Sequence, residues 1–338
     1  MKKLISLICV LAMVLALAAC GSPAPAAATE APAASTEAPA EDVSADKTFV
    51  VGICQLVQHP ALDAATQGFK DALTEALGDK VTFQEQNASG DSATCSLICN
   101  QFVSDEVDLI MANATASIQA AASATNTIPI LGTSITDYGV ALGVDNWTGV
   151  SGTNISGTSD LAPLDGQAAM IQELFPDAKT VGLLYCSGEP NSIFQADSME
   201  ALLTDMGYSV ERYTFADSND VSSVTANACS NSDVLYIPTD NTAASCTEAI
   251  NNVALSAGIP IVAGEEGIAS GCGVATLSIS YYDLGRATGE MAAEILTEGA
   301  DISTMEVRFA PAFTKEYNAD ICEALNITVP EDYVAIAK

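Results

Sequence analysis

From Phe49 to Ala263, short apolar runs alternate with segments whose apolar residues recur every three or four positions. Strands separated each time by a helix imply right-handed crossovers and therefore parallel sheets, which narrows the architecture to the α/β class. The first half predicts strands over 49–54, 81–86, 107–111 and 128–131, with helices over 60–77 and 92–103. The helix over 60–77 shows the logic. Pro60 suits a first helical position, Leu62, Ala65, Phe69, Leu73, Ala76 and Leu77 recur along one face, and Gly78 supplies the stop. The alternation then starts afresh, with strands over 181–186, 208–215, 234–238 and 260–263 and helices over 192–206, 221–229 and 242–257.

Two similar halves are the simplest account, and a chain of 338 residues that is 49% hydrophobic can fill two cores. Residues 141–160, rich in Gly, Ser, Thr and Asn, read as a crossing segment rather than a core element. A strand-like run over 274–280 leads into a helical stretch at 281–296, where the chain crosses back and leaves the first lobe discontinuous. The expected fold is α/β, with two doubly wound parallel-sheet lobes joined by crossing segments. The N-lobe spans 47–158, completed by about 266–310, and the C-lobe spans 159–265, completed by the C-terminal tail.

Ahead of these lobes, Met1, Lys2 and Lys3 precede an apolar run that ends in small residues, the pattern of an export signal over 1–19. Its close, Leu17, Ala18, Ala19, Cys20, Gly21, resembles the bacterial lipobox, which implies lipidation of Cys20 and anchoring on the outer face of the cytoplasmic membrane. The stretch over 20–46 is almost wholly Ala, Pro, Ser, Thr and acid, with nothing large enough to bury, and reads as a disordered tether. No later segment is apolar enough to span a bilayer.

With 11 basic and 43 acidic residues, the formal charge of -32 opposes binding to nucleic acid or anionic lipid. The acids are scattered and mostly solvate the surface. Downstream of Cys20 lie Cys54, Cys95, Cys99, Cys186, Cys229, Cys246, Cys272 and Cys322. Export would permit pairing, but their positions on apolar strands and helix faces read as small core residues, so mostly free buried thiols are expected. There is no C-x-x-C pair and a single histidine, which leaves little for a metal.

In doubly wound sheets, ligands bind beyond the carboxyl ends of the strands, where helix N-termini present unpaired N–H groups. Those ends carry short polar loops here: Gln55 to Asp63, Asn113 to Thr115 and Gly132 to Ser134 in the first half, then Ser187 to Ser192, Pro238 to Thr242 and Gly264 to Gly267. Any one of them could be ordinary capping and turn chemistry, but their repetition in both halves favours two facing rims. Such rims suit a small zwitterion, its carboxylate met by hydroxyls and helix ends and its ammonium by Asp240, Glu265 or Glu189. His59, just before Pro60, sits on the first rim; a capping or packing role stands open beside a ligand contact. No nucleophile motif, P-loop or G-x-G-x-x-G accompanies it, so neither catalysis nor a cofactor is expected.

These residues bring the chain close to a known group. The stretches QLVQHPALDAATQGFKDAL, GTSD, LLYCSGEPNS, YIPTDNT, IPIVAGEEG and ISYYDLGRATGEMAAEIL resemble the solute-binding lipoproteins of ABC importers, specifically those linked to tryptophan and tyrosine uptake. The resemblance implies the type I periplasmic-binding-protein fold and an aromatic amino acid held between closing lobes. It also implies delivery by a monomer to a membrane permease served by a separate ATPase. The implied ligand-facing set is Gln55, His59, Thr115, Ser134, Thr158 and Ser159 from the first half, with Glu189, Asn191, Ser192, Asp240, Asn241 and Glu265 from the second. Relatives often read E-H-P-A-L-D where this chain has Gln58 through Asp63, so Gln58 is a departure. A binder of sugars or nucleosides, an extracellular sensor and an exported carboxylate-dependent enzyme are the alternatives.

Overall fold

The computed structural model describes residues 47–310 and 312–337; the leader, Cys20 and nearly all of the tether lie outside the described residues. The first sheet takes β1 (Phe49–Gln55), β2 (Val81–Asn87), β3 (Leu109–Asn113), β4 (Ile130–Ile135) and β5 (Ile155–Ser159). The second takes β6 (Thr180–Cys186), β7 (Ser209–Phe215), β8 (Val234–Ile237), β9 (Ile261–Ala263) and β10 (Ala275–Ser278). Later come β11 (Arg308–Phe309), β12 (Thr314–Tyr317) and β13 (Val334–Ala335). The orders are β11-β5-β4-β3-β1-β2 and β13-β12-β10-β9-β8-β6-β7, so each lobe repeats one doubly wound arrangement with its second strand outermost. All pairings are parallel except β10 with β12.

In the first lobe the connecting helices are α1 (Pro60–Leu77), α2 (Ser92–Ser104), α3 (Thr115–Ala124) and α4 (Tyr138–Leu142). The second lobe takes α5 (Leu164–Leu174), α6 (Pro190–Asp205), α7 (Val221–Asn231), α8 (Asn241–Ser245), α9 (Thr247–Ala257) and α10 (Glu266–Cys272). Then follow α11 (Tyr281–Glu298) and α12 (Ala319–Leu325). Each sheet is covered on both faces. Phe102, Ile98 and Ile118 pack on one side of the first sheet, and Phe69, Leu73 and Met291 on the other. The second sheet is sandwiched in the same way by Met199 and Leu203 on one face and Ile250 and Ile268 on the opposite one.

The chain departs from its sequence reading in three places. Residues 141–160 do not simply cross between lobes: they contain β5, a fully buried strand of sequence ISGTS. Its small residues are required by crowding, because a Cβ on Gly157, at φ +141°, would collide with the backbone of Gly132 and the hydroxyl of Tyr138. The helix expected over 242–257 is two, α8 and α9, broken at Cys246. Residues 266–278 remain with the second sheet as α10 and β10, and the return to the first lobe begins only at α11. The downstream cysteines are free thiols, buried except for the half-buried Cys246.

The return of α11 rests on close contact with α1. A Cβ on Gly285 would run into the carbonyl of Ala65, and one on Gly68 into the carbonyl of Tyr282. Backbone-to-backbone packing of that kind cannot absorb a methyl without moving a helix. Gly285→Ala is therefore expected to destabilise the protein by about 1–3 kcal/mol, the range for overpacked cores. In urea unfolding this should lower the midpoint at unchanged slope.

Candidate functional site

The order of each sheet places its divergence point between the first and third strands of the lobe, so the loops after β1 and β3 face those after β6 and β8. Between them lies a small cavity of about 10 Å³, room for about one water, with His59, Ser134, Asp160, Asn191, Asp240 and Tyr281 in its wall. Asn241, Glu265, Leu62 and Ala244 also line it. A wider opening of about 400 Å³ adjoins through Asn191 and Asn241, bordered by Thr115 and Glu189.

Six of the twelve expected residues therefore line the inner cavity: His59, Ser134, Asn191, Asp240, Asn241 and Glu265. Thr115 and Glu189 border the opening. Four others lie behind the wall. Gln55 is consumed by internal bonds, its amide nitrogen donating to Asp63 Oδ1 at 2.6 Å and its oxygen accepting from Thr66 at 2.6 Å. Thr158 meets Thr288 at 2.9 Å, Ser159 donates to the carbonyl of Thr136 at 3.0 Å, and the Ser192 hydroxyl sits 3.3 Å from the Asn191 amide nitrogen. Sequence reasoning omitted Asp160 and Tyr281 from the set, although both stand inside quoted stretches, GTSD and ISYYDLGR.

Two of the cavity acids are helix caps. Asp240 accepts from the amides of Ala243 and Cys186, both at 2.7 Å, and Glu265 from those of Gly267 and Ile268, both at 2.5 Å. Glu189, at the opening, receives the backbone amides of Asn241 at 3.0 Å and Thr242 at 2.8 Å. Asp160 differs. Its Oδ2 accepts from the Tyr281 hydroxyl at 2.9 Å, while Oδ1 is buried with no partner. Among the described residues, the buried unpartnered side-chain atoms also include His59 Nδ1, Ser134 Oγ and Asn191 Oδ1, all in this one cavity wall.

Ser134 owes its position to a β-bulge, where the β4–β5 register shifts and its φ is +56°. His59 occupies the N-cap of α1 without capping it, and its Nε2 reaches across to Asn241 Oδ1 at 3.3 Å. Burial lowers the imidazole's affinity for a proton. Burial also pushes the Asp160 carboxyl up to about 6 and the Glu265 carboxyl up to about 7, and with the nearby Glu189 it raises Asp240. No Lys or Arg lines the cavity among the described residues, so these acids lack a cation. No group of three or more His, Cys, Asp or Glu among the described residues is placed to hold a metal ion.

Comparison with known proteins follows the same line. The family model of ABC transporter substrate binding proteins matches residues 50–338. A tyrosine-binding protein of Clostridioides difficile is 38% identical over 280 residues, covering 82% of this chain and 81% of that protein. Among solved structures, a Streptococcus pneumoniae ABC domain in complex with L-Trp matches with TM-score 0.80 at 31% identity, covering 84% of this chain and 97% of the other. A ligand-free, open substrate binding protein with adhesive properties from Clostridium difficile matches with TM-score 0.66 at 37% identity, covering 86% of this chain and 100% of the other. The ordering is informative: the ligand complex fits better although the open structure is nearer in sequence.

A ligand group carrying positive charge needs Asp160 ionised, and a carboxyl held near 6 gains its proton as pH falls through that value. Affinity for such a ligand is expected to drop about tenfold between pH 7 and pH 5 in calorimetric titrations, and Asp160→Asn should remove most of that slope. The ligand-free fold responds in the opposite sense. Raised carboxyls make it lose stability as pH rises from about 4 to about 7, because the unfolded chain gives up those protons first.

Proposed function

Since the chain belongs to the family of ABC transporter substrate binding proteins, we propose that it captures a free aromatic amino acid between its two lobes and delivers it to a membrane permease. One observation carries the reading: the cavity wall presents an unpartnered carboxylate oxygen on Asp160 and, among the described residues, no basic side chain. The ligand ammonium supplies the missing cation. Its carboxylate goes to the free Ser134 hydroxyl, and its ring lies against Leu62 and Ala244, the apolar part of the wall. The similarity to a tyrosine-binding protein and to a structure holding L-Trp supports this choice of solute.

Binding couples to lobe closure because the wall is divided between lobes. His59 and Ser134 come from the first lobe, Asn191, Asp240 and Asn241 from the second. A ligand touching both sides stabilises the closed form by its difference in affinity for the two states. No bond is made or broken, and neither cofactor nor metal takes part. The monomer would be held at the outer face of the cytoplasmic membrane by lipidated Cys20 and its tether, close to a permease whose ATPase is a separate chain.

Calorimetry and thermal unfolding of the lipid-free protein test this against L-tyrosine, L-tryptophan, L-phenylalanine, N-acetyl-tyrosine, neutral sugars and nucleosides. An aromatic amino acid at a hundredfold its dissociation constant should add about 2.7 kcal/mol and raise Tm by several degrees, while N-acetyl-tyrosine does little. Stabilisation by a sugar or nucleoside, with none by any amino acid, would overturn the reading.

A further inference from the structure

The polar wall of the cavity divides into two groups with different needs. One centres on Asp160, bonded to the Tyr281 hydroxyl. The other is a network running Glu189, Asn241, His59 and Asn191, built on the loops after β1, β6 and β8. The second group is internally determined, and its hydrogen-bond polarity can be followed atom by atom.

Glu189 Oε2 accepts from the Asn241 side-chain nitrogen at 2.7 Å and from the Asn241 backbone amide at 3.0 Å. The amide nitrogen of Asn241 is thereby turned toward Glu189, which leaves its Oδ1 facing His59 Nε2 at 3.3 Å. A carbonyl oxygen can only accept, so Nε2 carries the proton. Burial disfavours a second proton on the ring, and Nδ1 is left as a bare acceptor, 7% exposed overall and without a partner. Asn191 is oriented by the same logic. Its nitrogen donates to the Thr239 carbonyl at 3.0 Å and to Glu189 at 3.2 Å, so its unpartnered Oδ1 is a second acceptor in the same wall.

Two buried neutral acceptors cannot receive a ligand carboxylate, which offers only further lone pairs, and although an ammonium has three N–H donors its charge is met best at Asp160, in the other group of the wall. What they lack is a neutral donor. We propose that His59, locked by Asn241 in the tautomer protonated on Nε2, reads a hydrogen-bond donor on the ligand's ring with its Nδ1, assisted by Asn191 Oδ1. The proposal rests on the aromatic amino-acid reading and narrows it. Tyrosine offers a phenolic O–H and tryptophan an indole N–H, whereas phenylalanine offers nothing and leaves both acceptors buried and unpaired. Unpaired buried acceptors of this kind set phenylalanine back roughly 10- to 100-fold in affinity.

Because His59 is the chain's single histidine, its ring nitrogens can be read without ambiguity by nitrogen-15 NMR of the histidine-labelled protein. The ligand-free protein should show the form protonated on Nε2, and L-tyrosine or L-tryptophan should shift Nδ1 toward a hydrogen-bonded value while L-phenylalanine leaves it unmoved. A ring protonated on Nδ1, or the same shift with phenylalanine, overturns the proposal. Calorimetry of His59→Leu supplies the energetic arm: tyrosine and tryptophan should lose affinity while phenylalanine, relieved of a buried bare nitrogen, gains, so that the three converge. An equal loss for all three would place His59 on the shared backbone of the ligands and reject its role as ring reader, leaving the aromatic amino-acid reading in place. Failure of the wild-type protein to bind any of the three would remove both.

Discussion

The closed arrangement turns on how acids are buried with no basic side chain beside them. A carboxylate taken out of water must recover its hydrogen bonds or take up a proton. In this molecule the recovery comes from the starts of short helices. Asp240 takes the amide of Ala243 in α8, Glu265 those of Gly267 and Ile268 in α10, and Glu189 those of Asn241 and Thr242. Each acid thus fixes the helix end that it caps, and the wall of the cavity is assembled from those ends. Asp160 stands apart. It takes one hydroxyl bond from Tyr281, and its Oδ1 has no hydrogen-bond partner among the described residues.

This difference decides which acid a cationic ligand group meets. Reading from residue types alone spreads the role over Asp240, Glu265 and Glu189, since each follows a strand and precedes a helix. The same position explains why they are already occupied, because an acid at the start of a helix is drawn to the amides there. Asp160 directly follows a strand and opens an irregular connection, so no helix end competes for it. In the proposed reading the ammonium site is therefore the acid without a cap.

Much of the architecture is legible in the sequence because period-two and period-3.6 patterns survive wherever a segment packs apolar residues against a sheet. Strand β1 and helix α1 show this plainly. Strand β5 does not, since its core contribution is made by Gly157 and by Ser and Thr side chains that bond inward, and no apolar pattern marks it. The break at Cys246 is likewise hidden, since both flanking segments are good helix. Within the site, the rim loops could be placed by topology. What could not be read is which side chains turn inward: Gln55 ends a strand on the correct rim, yet Asp63 and Thr66 of its own lobe absorb its amide. Contacts between side chains far apart in sequence, such as Tyr281 with Asp160, leave no local signal at all.

The two halves of the polar wall also bear on what closure can mean energetically. The contact that joins the lobes at the centre of the cleft, His59 to Asn241, is a neutral bond of 3.3 Å, long enough to be worth little by itself. The unpartnered atoms around it count against the closed state, since each gives up water when the lobes meet and gains nothing in return. A ligand that supplies an ammonium to Asp160 and a ring donor to His59 changes both conditions at once. It removes the penalty of closing and adds bonds available only when the lobes are together. In the proposed reading the empty protein favours opening for the same reason that the loaded one favours closing, and capture and release both follow from leaving a few buried acceptors unsatisfied.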